Sequence, residues 1–240
     1  MALPKIDAPV YELTLPLSKK QVRFRPFLVK EQRNLMMALE SDDKETIEKN
    51  IRQVLTNCTI TDGIDIDKLP ILDVEFFFIN LRARSVGEVI DNRYRCENIT
   101  NDKKCGNLME TEINLLDIKV NFPDNVKDEI QLNDKLSIKL KYPEFSIISG
   151  AADSSPTDLA FNMIINSIEH IYDGQQYYYA KESTKEELVE FIESLNTEQF
   201  AKIEEFFENL PTLNKTIEMN CSKCGFHHKI EVEGLESFFG

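Results

Sequence analysis

The chain has 240 residues, of which 42% are hydrophobic and 29% charged, as in an ordinary soluble protein of one or two domains. Its formal net charge of −14 excludes a general affinity for nucleic acid or anionic membranes, because phosphate surfaces repel so acidic a molecule. No apolar run is long enough to span a bilayer and no targeting segment opens the chain, so we expect synthesis and folding in the cytoplasm.

A β-hairpin is the first element that the sequence predicts. Two short segments around a Leu-Ser-Lys-Lys turn place alternate apolar residues on one face: Tyr11, Leu13 and Leu15, then Val22 and Phe24. Arg23 and Arg25 flank Phe24 on the opposite face. We interpret these two arginines either as a solvated face or as a contact surface.

Three helices are predicted after the hairpin. The first runs from about residue 29 to residue 40, and Asp73 is expected to cap the third, which Gly87 ends. The second and third helices have continuous apolar stripes: Ile47, Ile51, Val54, Leu55 and Cys58 in the second, and Val74, Phe77, Phe78 and Leu81 in the third. Cys58 is therefore expected to be a buried core residue.

Two segments of this region, RPFLVKE and LRARSVGE, are unusually distinctive. With the sequence around them, roughly residues 8 to 90, they resemble the baseplate proteins of T-even-type contractile-tailed bacteriophages, whose members are described as baseplate hub subunits. The resemblance implies a non-enzymatic structural subunit of the virion tail baseplate, in the hub region, that acts in tail assembly. Its expected partners are other baseplate or tail proteins, with copies of itself as a further option.

The cysteines predict a metal site. Cys221 and Cys224 lie in a CSKCG turn between two alternating segments, and Cys96 and Cys105, with eight residues between them, lie between two others. Each pair is therefore expected at the tip of a β-hairpin. Four thiolates suit a tetrahedral structural zinc ion, which we predict to be bound by Cys96, Cys105, Cys221 and Cys224.

Other interpretations of the cysteines remain open. Disulfides are disfavoured in a reducing cytoplasm, and a redox pair usually caps a helix after a strand, whereas Cys221 and Cys224 lie between strands. His227 or His228 could replace one cysteine as a ligand. A catalytic zinc ion is disfavoured, because four cysteine ligands leave no open coordination position.

The sequence predicts an α+β fold in three parts. Residues 1–85 form an N-terminal hairpin and helical domain; residues 86–122 and 211–240 form a zinc-ribbon-like base of two β-hairpins; residues 123–210 form an inserted β and helical segment. Ser155 and Pro156 are expected to start a helix in the insertion after a linker at 149–158, with a stripe that continues through Ile168 to Tyr172. Thr184 and Glu187 predict a capping box.

Two surface features indicate protein contacts. Six basic residues and one acidic residue lie between 19 and 33, whereas nine acidic residues and two lysines lie between 182 and 210. These poles are either solvated faces or surfaces for a partner or a second copy. Tyr177, Tyr178 and Tyr179 follow one another, so they cannot all face one core, and tyrosine is favoured in interfaces.

The sequence contains no recognisable catalytic motif: no phosphate loop, nucleophile elbow or zinc-protease helix, and three histidines in all. The leading hypothesis is therefore an architectural protein that is retained in the virion. A transient assembly chaperone for a tail component is the alternative, and a metal-dependent enzyme is the third hypothesis.

Overall fold

The computed structural model describes residues 7–41, 43–100, 102–124, 126–148 and 155–233. In these residues, α-helices are mixed with short antiparallel strands in several small sheets, so the predicted α+β class is confirmed. No helix in the described ranges is both long and apolar enough to cross a membrane.

The N-terminal region is a hairpin packed on three helices. Its elements are β1 (Tyr11–Thr14), β2 (Gln21–Phe24), α1 (Val29–Glu40), α2 (Lys44–Cys58) and α3 (Ile71–Val86). Phe24 meets Phe77 edge-on, with ring centroids 5.3 Å apart, in a core that also buries Leu15, Leu55 and Cys58. The hairpin, the three helices and the buried position of Cys58 agree with the sequence predictions.

Asp73 has a different role from the predicted helix cap. Helix α3 starts at Ile71, three residues before the predicted start, and the buried Asp73 carboxylate accepts hydrogen bonds from the backbone N–H groups of Leu17 and Ser18, at 2.7 and 2.8 Å. The turn between β1 and β2 leaves these donors without ladder partners. Asp73 supplies them, and it therefore fastens the hairpin to α3.

Arg25 belongs to the interior network of this region. Its guanidinium donates to the Glu31 carboxylate at 3.2 Å and to the Cys58 sulfur at 3.6 Å. Glu31 is 2% exposed and also accepts from the Leu28 backbone N–H at 2.8 Å. Interpreting Arg25 as a free surface charge was therefore wrong, whereas Arg23 is exposed and lies 3.6 Å from the exposed Glu12 carboxylate.

The base begins with strands β3 (Val89–Arg95), β4 (Ile99–Thr100), β5 (Lys103–Lys104), β6 (Leu108–Asn114) and β7 (Lys119–Asn121). Strands β3 and β6 form the first long hairpin, in which Ile90 lies opposite Ile113. The small β4–β5 hairpin lies in the loop that connects β3 to β6.

The inserted region combines a sheet with three helices: β8 (Glu129–Gln131), β9 (Ser137–Leu140), α4 (Pro156–Ser167), β10 (Ile168–Tyr172), β11 (Tyr177–Tyr179), α5 (Lys185–Glu193) and α6 (Thr197–Glu208). The strand order is β11-β10-β9-β8. One face of this sheet packs against the helices through a cluster that includes Ile138, Ile171, Leu188 and Ile203. Ser155 caps α4 and the Thr184–Glu187 capping box starts α5, as predicted.

Helix α4 is shorter than the sequence predicted. The apolar stripe was expected to continue to Tyr172, but the helix ends at Ser167 and the next five residues form β10. Ile168 and Ile171 are both buried, a spacing that suits a helix as well as a strand with a bulge. Pairing with β9 and β11 on both sides decides for the strand. The predicted linker residues 149–154 lie outside the described residues.

The chain returns to the base in β12 (Thr212–Asn220) and β13 (His227–Glu233). Strand β12 pairs with β13 along its length and with β7 at its start, where Leu213 lies opposite Val120. Helix α3 closes one side of the base, because its residues Ile79 and Ala83 share a buried cluster with Leu213 and Val232. Since α3 contributes to two cores, the three-domain division stays a prediction.

Candidate functional site

Four cysteines meet where the tips of the two long hairpins come together. The sulfur atoms of Cys96, Cys105, Cys221 and Cys224 all lie within 4.8 Å of one another, with 3.6 Å between Cys96 and Cys224 and 3.8 Å between Cys105 and Cys221. A tetrahedral ion with sulfur ligands at about 2.3 Å needs sulfur atoms about 3.8 Å apart, whereas a disulfide needs about 2.05 Å. The cluster can therefore hold a metal ion.

The early pair is held by a turn that ends in a glycine. The Cys96 N–H donates to the Asn107 carbonyl at 2.8 Å, and the Gly106 N–H donates to the Cys96 carbonyl at 3.0 Å. Gly106 has φ of 64°, which a residue with a side chain adopts at a cost. These bonds close the loop between Cys96 and Cys105 and aim both sulfurs to one side.

The late pair repeats this pattern in a much shorter loop. The Cys221 N–H donates to the Phe226 carbonyl at 2.9 Å, and the Gly225 N–H donates to the Cys221 carbonyl at 2.8 Å. Gly225 has φ of 72°. Each cysteine pair thus lies in a knuckle with the same two backbone bonds and a left-handed glycine directly after the second cysteine.

Side-chain donors surround the sulfur atoms. Asn98 donates its amide to Cys224 at 3.6 Å, Asn107 donates to Cys221 at 3.5 Å, and His228 Nε2 lies 3.1 Å from Cys96 Sγ. Donors of this kind stabilise thiolate charge. Sequence reasoning missed the two asparagines, although both lie within two residues of a cysteine of the early pair or its glycine.

The backbone prepares the late pair for a cation. The N–H groups of Cys224 and Lys223 lower the pKa of Cys221 to about 6, and the Phe226 N–H lowers the pKa of Cys224. Burial acts in the opposite direction on Cys96 and raises its pKa to about 12. A divalent ion would supply the positive charge that this buried thiol lacks.

The histidines near the cluster have different positions. His228 points toward Cys96, whereas His227 is exposed and its Nδ1 lies 3.0 Å from the Asn220 side-chain oxygen. The four mutually close ligand atoms in the described part of the chain come from the cysteines alone. The alternative in which a histidine replaces a cysteine is thus less well supported than the four-cysteine set.

A second surface of interest is the sheet of the inserted region, on the side away from its helices. Tyr177 and Tyr179 lie there with Tyr172 and His170, and ring centroids are 4.6 Å apart for Tyr172 and Tyr177 and 5.7 Å for His170 and Tyr179. We call these four residues the aromatic face. Tyr178 lies opposite and donates its hydroxyl to Asp173 at 2.9 Å.

The aromatic face is open to solvent. Tyr177 and Tyr179 are 54% and 40% exposed, and β11, which carries both, is an edge strand. The nine acidic residues predicted as a pole between 182 and 210 are also exposed, on and around α5 and α6. Exposed aromatic area of this kind is typical of protein interfaces.

These features define an α+β protein with a four-cysteine cluster at the tips of two hairpins and an exposed aromatic face. The family described as the T4 bacteriophage base plate protein matches residues 8–240, and the chain belongs to this family. No curated protein and no solved structure matches the chain. The match extends well beyond the region that carried the resemblance, and membership implies a place in the phage tail and contacts with other baseplate proteins.

Proposed function

We propose that the protein is a non-enzymatic subunit of the hub region of the baseplate and remains in the mature virion. The observation that carries the proposal is the aromatic face of a family member, because rings exposed on an edge strand offer rigid contact area to a neighbouring baseplate protein. The cysteine cluster supports the same role. A metal ion bound by four cysteines stabilises a fold and has no open coordination position for a substrate.

The metal in this proposal is one structural zinc ion per chain. Cys96, Cys105, Cys221 and Cys224 would hold it, and bound zinc would supply cross-links between the two knuckles. Sulfur ligands favour zinc over magnesium or calcium, which prefer oxygen. The amide groups of Asn98 and Asn107, and His228 in the tautomer that carries the proton on Nε2, would offset the negative charge of four thiolates around a divalent ion.

Quantitative mass spectrometry of baseplate precursors and purified mature particles tests retention. We expect the protein in both, at one fixed copy number. A transient chaperone, assembled with a tail component in the host cytoplasm, would be present in precursors and missing from mature particles. Absence from both preparations would contradict the architectural role itself.

A further inference from the structure

A cavity of about 400 Å³ lies where the three regions of the chain meet. Its lining comes from the β1–β2 turn, helix α3, the inserted region and the start of β12, and it is mostly apolar, with Leu17, Leu72, Met163, Leu210 and Leu213 among its walls. The volume lies toward the lower end of the range of about 300–1,000 Å³ that small-ligand pockets occupy. The cavity is therefore large enough for a side chain from another molecule.

Glu75 is the acidic group in this lining. No hydrogen bond or ion pair reaches its carboxylate from the residues that the structure describes, and burial without a compensating partner raises its pKa to about 7. The phenol of Tyr142 is the other titratable group of the lining, and burial raises its pKa as well.

The buried acids of the described chain all have partners, whereas Glu75, which is partly buried, has none among the described residues. Glu31 is paired with Arg25, Glu48 with Arg52 at 2.6 Å, and Asp73, two residues before Glu75, accepts two backbone hydrogen bonds. A carboxylate that is partly removed from water and lacks such partners is destabilised in its charged form. Glu75 thus has an unused capacity to bind a cation.

The walls and the carboxylate together select the chemistry of the occupant. Apolar walls suit a hydrocarbon stem, and Glu75 suits a positive head that donates hydrogen bonds. Lysine and arginine side chains combine these two properties. The net charge of −14 adds a long-range attraction for a basic partner.

We propose that the cavity around Glu75 binds a lysine or arginine side chain of a neighbouring baseplate protein. That the neighbour is a baseplate protein rests on the proposed function, whereas the cation-binding chemistry rests on the cavity alone. Because the lining includes all three regions, an inserted side chain would also tie them together.

Methyl NMR on the purified protein tests the cation site. Met163 lies in the wall, so its ¹³C-labelled methyl group, assigned with Met163→Leu, reports occupancy. At pH 8, n-butylguanidinium and n-butylammonium should shift this resonance saturably. Neutral n-butylurea should bind the wild-type protein about tenfold more weakly than the cations do, which is the effect of one charged hydrogen bond. The Glu75→Gln variant should bind either cation about tenfold more weakly than wild type does. Equal shifts with butylurea, or none with the cations, would overturn the proposal.

Phage assembly tests the neighbour. Glu75→Gln keeps the shape of the side chain, so the variant should fold and yet enter baseplates several-fold less efficiently than wild type. Normal incorporation of the variant would overturn the neighbour's role while the NMR result still decides the cation site. If wild-type protein enters no baseplate, the proposed function and the neighbour fail together, and cation binding is again decided separately.

Discussion

The tips of the base and the N-terminal region are stabilised in different ways. The N-terminal region buries a large apolar cluster around Phe24 and Phe77, whereas the knuckles bury little apolar area beyond Met109, next to Cys96 and Cys221. Burial of apolar side chains contributes about 25 cal/mol per Å², so a small cluster cannot order two loops by itself. The comparison teaches that the proposed metal site lies where the core of this fold is thinnest.

The largest effect is expected from removing a ligand. Cys221→Ser should lose zinc and unfold the base, because apparent zinc binding contributes about 10–16 kcal/mol to the folding of small zinc domains at pH 7. Elemental analysis and thermal melting measure the two results. Cys58→Ala is the matched control. Cys58 lies in the N-terminal core, so this variant should still bind one zinc ion per chain. Wild-type protein without zinc after reducing purification, or unchanged melting of Cys221→Ser, would contradict the metal site.

A charge reversal should affect the other region. Arg25→Glu places two carboxylates together at the buried Glu31 and should cost about 3 kcal/mol in urea unfolding, with zinc content unchanged. Arg23→Glu, two residues earlier in the chain, is the matched control, and the exposed pair of Arg23 with Glu12 predicts a change within about 0.5 kcal/mol. Equal costs for the two variants would show that the Arg25–Glu31 network has no special role.

Glu75 should make stability depend on pH at the junction between the two regions. Burial raises its pKa from 4.5 to about 7, so the folded state holds the proton more tightly than the unfolded state. The contribution is full below pH 4.5 and is lost as the pH rises to about 7, up to about 3 kcal/mol in the free energy of unfolding. Glu75→Gln should remove this dependence. Unfolding curves of the two proteins that stay parallel from pH 4.5 to 8 would contradict it.

The smallest effect on stability is expected at the aromatic face. Replacing Tyr177 and Tyr179 by serine should cost less than about 1 kcal/mol, because both rings are largely exposed, and yet baseplate assembly should stall. Tyr178→Phe is the control: it loses the bond to Asp173 and keeps the ring. Normal assembly by the double variant would exclude this face as the interface.

Local patterns predicted much of this molecule. The apolar stripes located α2 and α3, and the alternation around the cysteines located the four strands that flank them. The convergence of the two cysteine pairs could be predicted without knowledge of the fold, because a structural zinc ion requires four ligands. Spacing therefore identified a candidate site whose members are more than 100 residues apart in the chain, 116 between Cys105 and Cys221.

Other features depend on contacts that no local pattern contains. Ile168 and Ile171 fit a helix as well as a strand, and only the neighbouring strands on both sides decide. Asp73 resembles a helix cap in sequence, but its carboxylate accepts hydrogen bonds from the N–H groups of a turn 55 residues earlier. The sequence pattern indicates that Arg25 is a surface charge, but in the fold its guanidinium donates hydrogen bonds to Glu31 and Cys58.

The separation of the two knuckles in the sequence also sets a delay between their synthesis on the ribosome. Ribosomes add about 5–20 residues per second, so the 116 residues from Gly106 through Cys221 take about 6–23 seconds to make. Throughout that interval the nascent chain offers only half of the ligands. A two-thiolate site holds zinc far less firmly than a four-thiolate site, so the proposed zinc site is complete only after the second knuckle leaves the ribosome. A ribosome that stalls before residue 221 therefore releases a chain that lacks the complete site.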